Sequence, residues 1–255
     1  MESIIETKDL TIFFGGHVAV NEVSVRIAKN KFTSVIGPNG AGKTTFFNLL
    51  SGQLYPTKGE IYFKNENITK KSPTIRTRLG IGRSFQITNV FPNLTVLENV
   101  RLAVQSNQKI RYQMMFHYKK YSLFEEQALE LLELVLLKNK AHAVAANLAH
   151  GEKRKLEIAM LLALETDLLL LDEPTAGMSL EEVPAILEVI KRIKEQGNRT
   201  IVLIEHKMDM ILGLSDEVLV LFNGELLAQG TPEEIMENKT VQSAYLGGMS
   251  NDSLA

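Results

Sequence analysis

The residues of this chain whose types and spacing are best suited to chemistry form the run Gly-Pro-Asn-Gly-Ala-Gly-Lys-Thr at positions 37–44. This run matches the pattern G-x-x-x-x-G-K-[ST] at every fixed position. Glycine permits backbone angles that a side chain would forbid, so successive N–H groups can point at phosphate oxygens. Lys43 would then reach the terminal phosphates of a nucleotide, and the Thr44 hydroxyl would contact Mg²⁺. The residues predicted to bind the nucleotide here are Gly37, Pro38, Asn39, Gly40, Ala41, Gly42, Lys43, Thr44 and Thr45.

The segments on either side of this run predict the elements that must position it. Residues 32–36 are typical of a short buried strand, and residues 43–50 indicate the start of a helix. A strand, a loop and a helix in this order are the setting that the pattern requires, because the helix N-terminus then faces the anion.

A second candidate site follows the apolar run at 168–171, which continues into Asp172, Glu173 and Pro174. Such a run is typical of a parallel strand covered on both faces. Carboxylates at its carboxyl end point into the crevice where open α/β sheets bind ligands. We expect Asp172 to hold Mg²⁺, through water, and Glu173 to polarise an attacking water. The alternative is a surface turn at which the strand simply ends.

A third segment, Asn-Leu-Ala-His-Gly-Glu-Lys-Arg at 147–154, lies shortly before that strand. Gly151 is predicted to open a helix, so that its N–H group and the helix dipole can meet a phosphate. The alternative is an ordinary helix boundary with a solvated basic face.

With these segments in order, the chain resembles the ATP-binding subunits of ABC transporters. Residues 148–152 are similar to the family's Leu-Ser-Gly-Gly-Gln signature, which contacts ATP held by the opposite subunit of a dimer. The resemblance implies that Phe14 stacks on adenine, that Gln86 senses Mg²⁺ and the γ-phosphate, and that His206 is the switch histidine. It extends from about residue 4 to residue 247 and implies ATP and Mg²⁺ as cofactors. The implied catalytic residues are Lys43, Gln86, Glu173 and His206; the implied metal residues are Thr44, Gln86 and Asp172; the implied further nucleotide contacts are Phe14, Ala149, His150, Gly151 and Glu152.

Within that superfamily, the chain looks most like the ATPase subunits of bacterial branched-chain amino acid importers. The stretches NLAHGEKRKLEIA, DEPTAGM, IEHKMDM and AQGTPEEI carry this likeness, as does the basic and aromatic insertion at 105–121. It implies integral membrane permease subunits, a second ATP-binding subunit and an extracytoplasmic substrate-binding protein as partners. The expected location is the cytoplasmic face of the inner membrane, reached through those partners.

Four residues depart from the family pattern, three in the signature and one in the loop after Glu173. Ala149 replaces the signature serine, and His150 and Glu152 replace glycine and glutamine. Ser179 stands where an acidic or amide residue is usual. The lost serine hydroxyl removes one hydrogen bond to a charged group, worth ~1.5–3 kcal/mol. The backbone N–H donors remain.

The overall pattern predicts an α/β fold: a P-loop NTPase (RecA-like) core with an N-terminal antiparallel β subdomain and an inserted α-helical subdomain. We expect residues 1–255 to form a single ATP-binding domain, with a catalytic core at 1–86 and 165–255 and a helical subdomain at about 87–164. Antiparallel strands are predicted within 3–36, including alternation over 18–27. A crossover helix is expected at 181–194, and a hairpin at 218–228.

Composition narrows the class of protein further. A net charge of −2 argues against a nucleic-acid partner, and the absence of cysteine excludes disulfides and thiolate chemistry. We expect no signal peptide, because the first ten residues carry acids and lack a long apolar core. The longest apolar runs fall far short of the ~20 residues that span a bilayer.

Other functions stay open. An ATPase of lipopolysaccharide export shares much of the pattern, although that group usually has Asp where Glu205 stands and a complete signature. A soluble ABC ATPase acting on ribosomes or DNA usually carries two cassettes or a long coiled coil. A degenerate, regulatory binding module is a third alternative. A GTPase is disfavoured, because the chain lacks an Asn-Lys-x-Asp segment.

Overall fold

The computed structural model describes residues 2–84, 90–107, 118–205 and 208–244, with backbone alone at 118–121, 208 and 209. The strands are β1 (Ser3–Phe14), β2 (His17–Val23), β3 (Arg26–Ala28), β4 (Phe32–Ile36), β5 (Lys58–Phe63), β6 (Glu66–Asn67), β7 (Ile81–Arg83), β8 (Leu168–Asp172), β9 (Thr200–Ile204), β10 (Glu217–Phe222) and β11 (Glu225–Gly230). The helices are α1 (Lys43–Ser51), α2 (Pro73–Leu79), α3 (Val96–Asn107), α4 (Tyr118–Leu134), α5 (His150–Ala163), α6 (Val183–Glu195), α7 (Met208–Leu214) and α8 (Pro232–Glu237). None of the helices in these ranges is both long and apolar enough to cross a membrane.

A six-stranded sheet with the order β11-β10-β4-β9-β8-β7 forms the centre of the molecule. Its strands are parallel except β11, which pairs antiparallel with β10. Every residue of β4, β8 and β9 is buried, as expected of strands covered on both faces. Because side chains alternate along a strand, Leu169 and Leu171 pack into one core and Leu168 and Leu170 into the other.

The first core lies under helices, and the second lies under a second sheet. Apolar side chains of α3, α4, α5 and α6 pack on one face of the central sheet. Helix α1 and an antiparallel sheet with the order β2-β1-β5-β6 cover the other face. These layers confirm the predicted fold class, an α/β core with an antiparallel β region and a helical insertion. The division into a core and a helical subdomain at about 87–164 stays a prediction.

The antiparallel strands predicted from the alternation over residues 18–27 are β2 and β3, which the pattern did not separate. β2 ends at Val23, and β3 begins only at Arg26. β1 is long enough to pair with β2 through its C-terminal half and with β3 through its N-terminal half. The chain therefore leaves one pairing and starts another within two residues, which a period-two pattern does not reveal.

Several short elements have no counterpart among the sequence predictions, and α2 and β7 are two of them. α2 has only seven residues and lacks an apolar periodicity. It is held by Arg76, which is fully buried and donates hydrogen bonds to four main-chain carbonyl groups. Two of these, of Leu49 and Leu50, belong to the last turn of α1, whose carbonyls have no partner within the helix. Burial lowers the pKa of Arg76 to about 10, so the side chain is charged at neutral pH.

Replacing Arg76 with methionine should lower the free energy of unfolding by about 3 kcal/mol or more, because several buried carbonyl groups would lose their donor. Urea unfolding followed by circular dichroism measures this loss. Arg78→Met is the matched control, since Arg78 lies on the same helix but is exposed. Equal stability of the two variants would show that the Arg76 hydrogen bonds contribute nothing net.

Candidate functional site

The loop between β4 and α1 is shaped by backbone angles and close contacts that only glycine accommodates. Gly42 has φ +94°, and a Cβ built on it would lie 2.4 Å from the carbonyl oxygen of Ala19. A Cβ on Gly37 would lie 2.1 Å from the carbonyl oxygen of Leu221. The loop is therefore packed between the antiparallel sheet and the β10–β11 hairpin, and it leads directly into the N-terminus of α1.

Lys43 lies at the start of α1 and folds back over this loop. Its Nζ donates hydrogen bonds to the carbonyl oxygens of Gly37, at 2.8 Å, and Pro38, at 3.0 Å. Burial lowers the pKa of Lys43, and the nearby carboxylates of Glu173 and Asp172 offset part of this shift. The ammonium group of Lys43 therefore lies inside the loop, next to the position that the phosphates would occupy.

A cavity of about 350 Å³ opens in front of the loop. Glu173 contributes a carboxylate to the wall, and the half-exposed Phe14 contributes an aromatic ring. The wall therefore combines backbone N–H groups, an ammonium, hydroxyls, an aromatic ring and one carboxylate. The lining residues are Phe14, His17, Ala19, Asn39, Gly40, Ala41, Gly42, Lys43, Thr44, Thr45 and Glu173. Sequence reasoning did not single out His17 and Ala19, whose position depends on the pairing of β1 with β2.

Glu173 reaches this wall through an unusual backbone conformation. Its φ is +44°, a left-handed value that is uncommon for a residue with a side chain. The hydrogen bond from its N–H group to the carbonyl of Ile204, at 3.0 Å, holds this turn against β9. Strained backbone of this kind persists where surrounding structure enforces it, often at active sites.

Asp172, one residue earlier, is buried rather than exposed on the cavity wall. Its Oδ2 accepts a hydrogen bond from Arg83 Nη2 at 3.0 Å, whereas Oδ1 is buried with no hydrogen-bond partner among the described residues. Burial raises the pKa of the Asp172 carboxyl, and the Arg83 guanidinium offsets part of the rise. An unpartnered carboxylate oxygen at the edge of a phosphate site fits a water of a hydrated Mg²⁺ ion. The residues present therefore suit the predicted metal.

Arg83 is a site residue that the sequence analysis did not single out. Its Nη1 donates to Asn48 Oδ1 at 2.6 Å and to Ser51 Oγ at 2.8 Å, both on α1. One guanidinium thus joins α1 to the end of β8. The sequence carried no signal for this role, because it did not predict β7, the strand that positions Arg83.

Glu205 is a second positioning residue near the site. This buried carboxylate accepts hydrogen bonds from the main-chain N–H of Thr175, at 3.2 Å, and from its hydroxyl, at 2.6 Å. The loop after Glu173 is therefore tied to the end of β9.

The structure does not bring residues 149–152 to this cavity. They form the N-terminus of α5, where two of the N–H groups already meet carboxylates. The Ala149 N–H donates to Glu152 Oε2 at 3.1 Å, and the Gly151 N–H donates to Glu182 Oε1 at a long 3.4 Å. Ala149 lacks the oxygen with which a serine would cap this helix.

Two predicted residues, Gln86 and His206, lie outside the described residues. Their roles stay predictions from the resemblance. Neighbouring residues show where their segments begin: Ser84 follows β7, and Glu205 follows β9.

Comparison with known proteins places these features in a family. The model of the ABC transporter family matches residues 20–176, and that of the branched-chain amino acid ATP-binding cassette transporter matches residues 225–249. The high-affinity branched-chain amino acid transport ATP-binding protein LivG of Salmonella typhimurium is 38% identical over 253 residues. That alignment covers 96% of this chain and 98% of the relative.

Solved structures agree with this assignment. The ADP conformation of an ATP-binding cassette of an ABC transporter matches with a TM-score of 0.80 and 27% identity, covering 97% of this chain and 100% of the other. A dimeric cassette in a post-hydrolysis state, bound to ADP and Pi, matches with a TM-score of 0.73 and 26% identity, covering 89% and 98%. Fold, cavity and similarity over nearly the whole length lead to one conclusion: this chain belongs to the ABC transporter family of ATP-binding proteins and is an ATPase.

Proposed function

We propose that this chain is the ATP-hydrolysing subunit of an importer for branched-chain amino acids, using ATP with Mg²⁺. The observation that carries the proposal is the cavity in which the phosphate loop and Glu173 share one wall. The choice of solute rests on similarity to LivG along almost the whole chain and on the family match at residues 225–249.

The geometry supports a mechanism of positioning and electrostatics without a covalent intermediate. Lys43 exchanges its two loop carbonyls for phosphate oxygens, while the N–H groups at the start of α1 hold the same anion. Phe14 offers its exposed ring to the base. Mg²⁺, held by the Thr44 hydroxyl and, through water, by Asp172, would neutralise phosphate charge. Glu173, which lines the same cavity, orients and polarises the attacking water.

The cavity provides only half of the site that the family requires. The signature segment at 149–152 lies elsewhere on the subunit, so it can complete a nucleotide site only in a second copy or a similar subunit. The dimeric structure of a related cassette supports this arrangement. Gly151 would then contact the phosphates of the ATP bound to its partner, and the Glu182 carboxylate would have to leave its N–H group.

A separate groove suits the membrane partner. A cavity of about 410 Å³, mostly apolar, lies between α3 and α5. Phe91, half exposed, stands at its wall, and Arg83 also lines it. We propose that a helix of an integral membrane permease docks here and holds the subunit at the cytoplasmic face of the inner membrane. An extracytoplasmic binding protein would deliver the solute to that permease.

Glu173→Gln should bind ATP with nearly parental affinity, lose at least about a hundredfold in turnover and accumulate as an ATP-bound dimer, because the amide keeps the shape but cannot act as a base. Phosphate release and size-exclusion chromatography measure the two effects. Glu181→Gln, at an exposed position in the following loop, is the control. Parental turnover of Glu173→Gln would remove Glu173 from the proposed role.

Gly42→Ala should weaken binding of Mg·ATP by about tenfold or more. Its Cβ would collide with the carbonyl of Ala19, and its φ is unfavourable for alanine. Isothermal titration calorimetry measures the affinity. Gly16→Ala is the control, because a Cβ there meets nothing within 4 Å. If both variants bind Mg·ATP equally well, the loop is not under the constraint described.

Phe91→Ser should leave the basal ATPase activity of the isolated subunit unchanged but abolish its co-purification with the integral membrane permease subunits of the proposed importer. The reason is loss of an apolar anchor from the docking groove. Leu123→Ser is the matched control, a half-exposed apolar residue of α4 outside the groove. Normal co-purification of Phe91→Ser would place the permease elsewhere.

A further inference from the structure

Helix α5 carries a buried ion pair that the proposed mechanism does not use. Arg154 Nη1 and Glu157 Oε2 lie 2.6 Å apart, and each side chain is only 6% exposed. Burying two charges is costly, and apolar residues of similar volume often do as well or better for stability. Packing alone therefore does not explain why Arg154 and Glu157 stand at these buried positions.

The same guanidinium reaches out of its helix to the nucleotide site. Arg154 Nη2 donates a hydrogen bond to the main-chain carbonyl of Asp172 at 2.9 Å. The ladder between β7 and β8 ends at the pair of Arg83 with Leu170, so Asp172 lies beyond it. A buried carbonyl at such a strand end needs a donor, and Arg154 provides one.

The two ends of this link belong to different nucleotide sites. Arg154 lies three residues, less than one helical turn, after Gly151, which would contact the ATP bound by the partner subunit. Asp172 immediately precedes Glu173, which lines this subunit's own cavity. A displacement of the α5 N-terminus would therefore move the backbone that carries the proposed base. A planar guanidinium with two fixed donors suits this link better than a flexible ammonium.

We propose that Arg154, held by Glu157, is a positioning residue that couples the two nucleotide sites of the dimer by joining the α5 N-terminus to the main chain of Asp172. This inference rests on the proposed function, because it requires ATP to be shared between two subunits. It assigns Arg154 no contact with ATP.

The test replaces both partners at once, as Arg154→Met with Glu157→Met, so that no unpaired charge is left buried. The control is Glu188→Met with Arg192→Met, which removes an exposed ion pair of the same residue types on α6. Thermal unfolding, binding of a fluorescent ATP analogue to the monomer, and the ATP dependence of hydrolysis are measured for the parent and both variants.

For the parent and the control, we expect a Hill coefficient approaching about two, the number of sites in the dimer. For the Arg154/Glu157 variant, we expect a Hill coefficient near one and kcat reduced about tenfold, with analogue binding close to parental. The unfolding temperature should fall only modestly, because the Asp172 carbonyl alone loses its donor. A purely structural pair would instead change stability and leave cooperativity intact. Parental cooperativity and kcat in this variant, or a parental Hill coefficient of one, would overturn the inference.

Arg154→Lys provides a second variant that keeps the charge beside Glu157 and hence the fold. Its single ammonium cannot reproduce the two-point geometry, so its cooperativity should fall between parent and double variant; parental cooperativity would count against the inference. If Glu173→Gln stays monomeric with ATP, the proposed function fails and this inference fails with it. If it dimerises while the Arg154/Glu157 variant remains cooperative, only the coupling role fails.

Discussion

The burial of one carboxylate, Asp172, constrains the rest of the site. A charge that is 1% exposed at the end of a hydrophobic strand needs compensating partners, and Arg83 supplies the main one. Because Arg83 also binds Asn48 and Ser51, the end of β8 is fixed against α1, whose first residue is Lys43. The carboxylate that suits a hydrated metal and the lysine that suits phosphate are thus positioned by one guanidinium.

The same strand end orders the elements that follow it. Glu173 turns out of the sheet in a left-handed conformation, and Glu205 holds the next residues through Thr175. On the other side, Arg154 joins the Asp172 carbonyl to α5. Helices α1 and α5 and strand β9 are therefore all joined to Asp172 or Glu173, and α1 is joined through the Arg83 side chain. These contacts link ATP binding by the phosphate loop, activation of water by Glu173 and the position of the α5 N-terminus.

The sequence predicted those parts of the molecule whose signals are local. The phosphate loop, the apolar strand before Asp172 and the hairpin at 218–228 each carry their pattern within a few residues. The sequence did not predict α2 and β7, because they are short and depend on partners that are distant in the sequence. Arg76 joins α2 to the end of α1, and β7 pairs with β8. The folded-back Lys43 and the Glu182 contact to Gly151 also could not be foreseen, since each depends on side-chain placement in three dimensions.

In the proposed dimer, each nucleotide is shared by the phosphate loop of one subunit and the α5 N-terminus of another. The chain has no cysteine, so single cysteines can be introduced cleanly. The most direct measurement mixes Asn39→Cys subunits with Ala149→Cys subunits, both carrying Glu173→Gln, and assays cross-linking by a short bifunctional maleimide. We expect a cross-linked dimer of the two kinds of subunit that forms with ATP and not without nucleotide. No cross-link with ATP, or the same yield without it, would show that the nucleotide is not shared in this way.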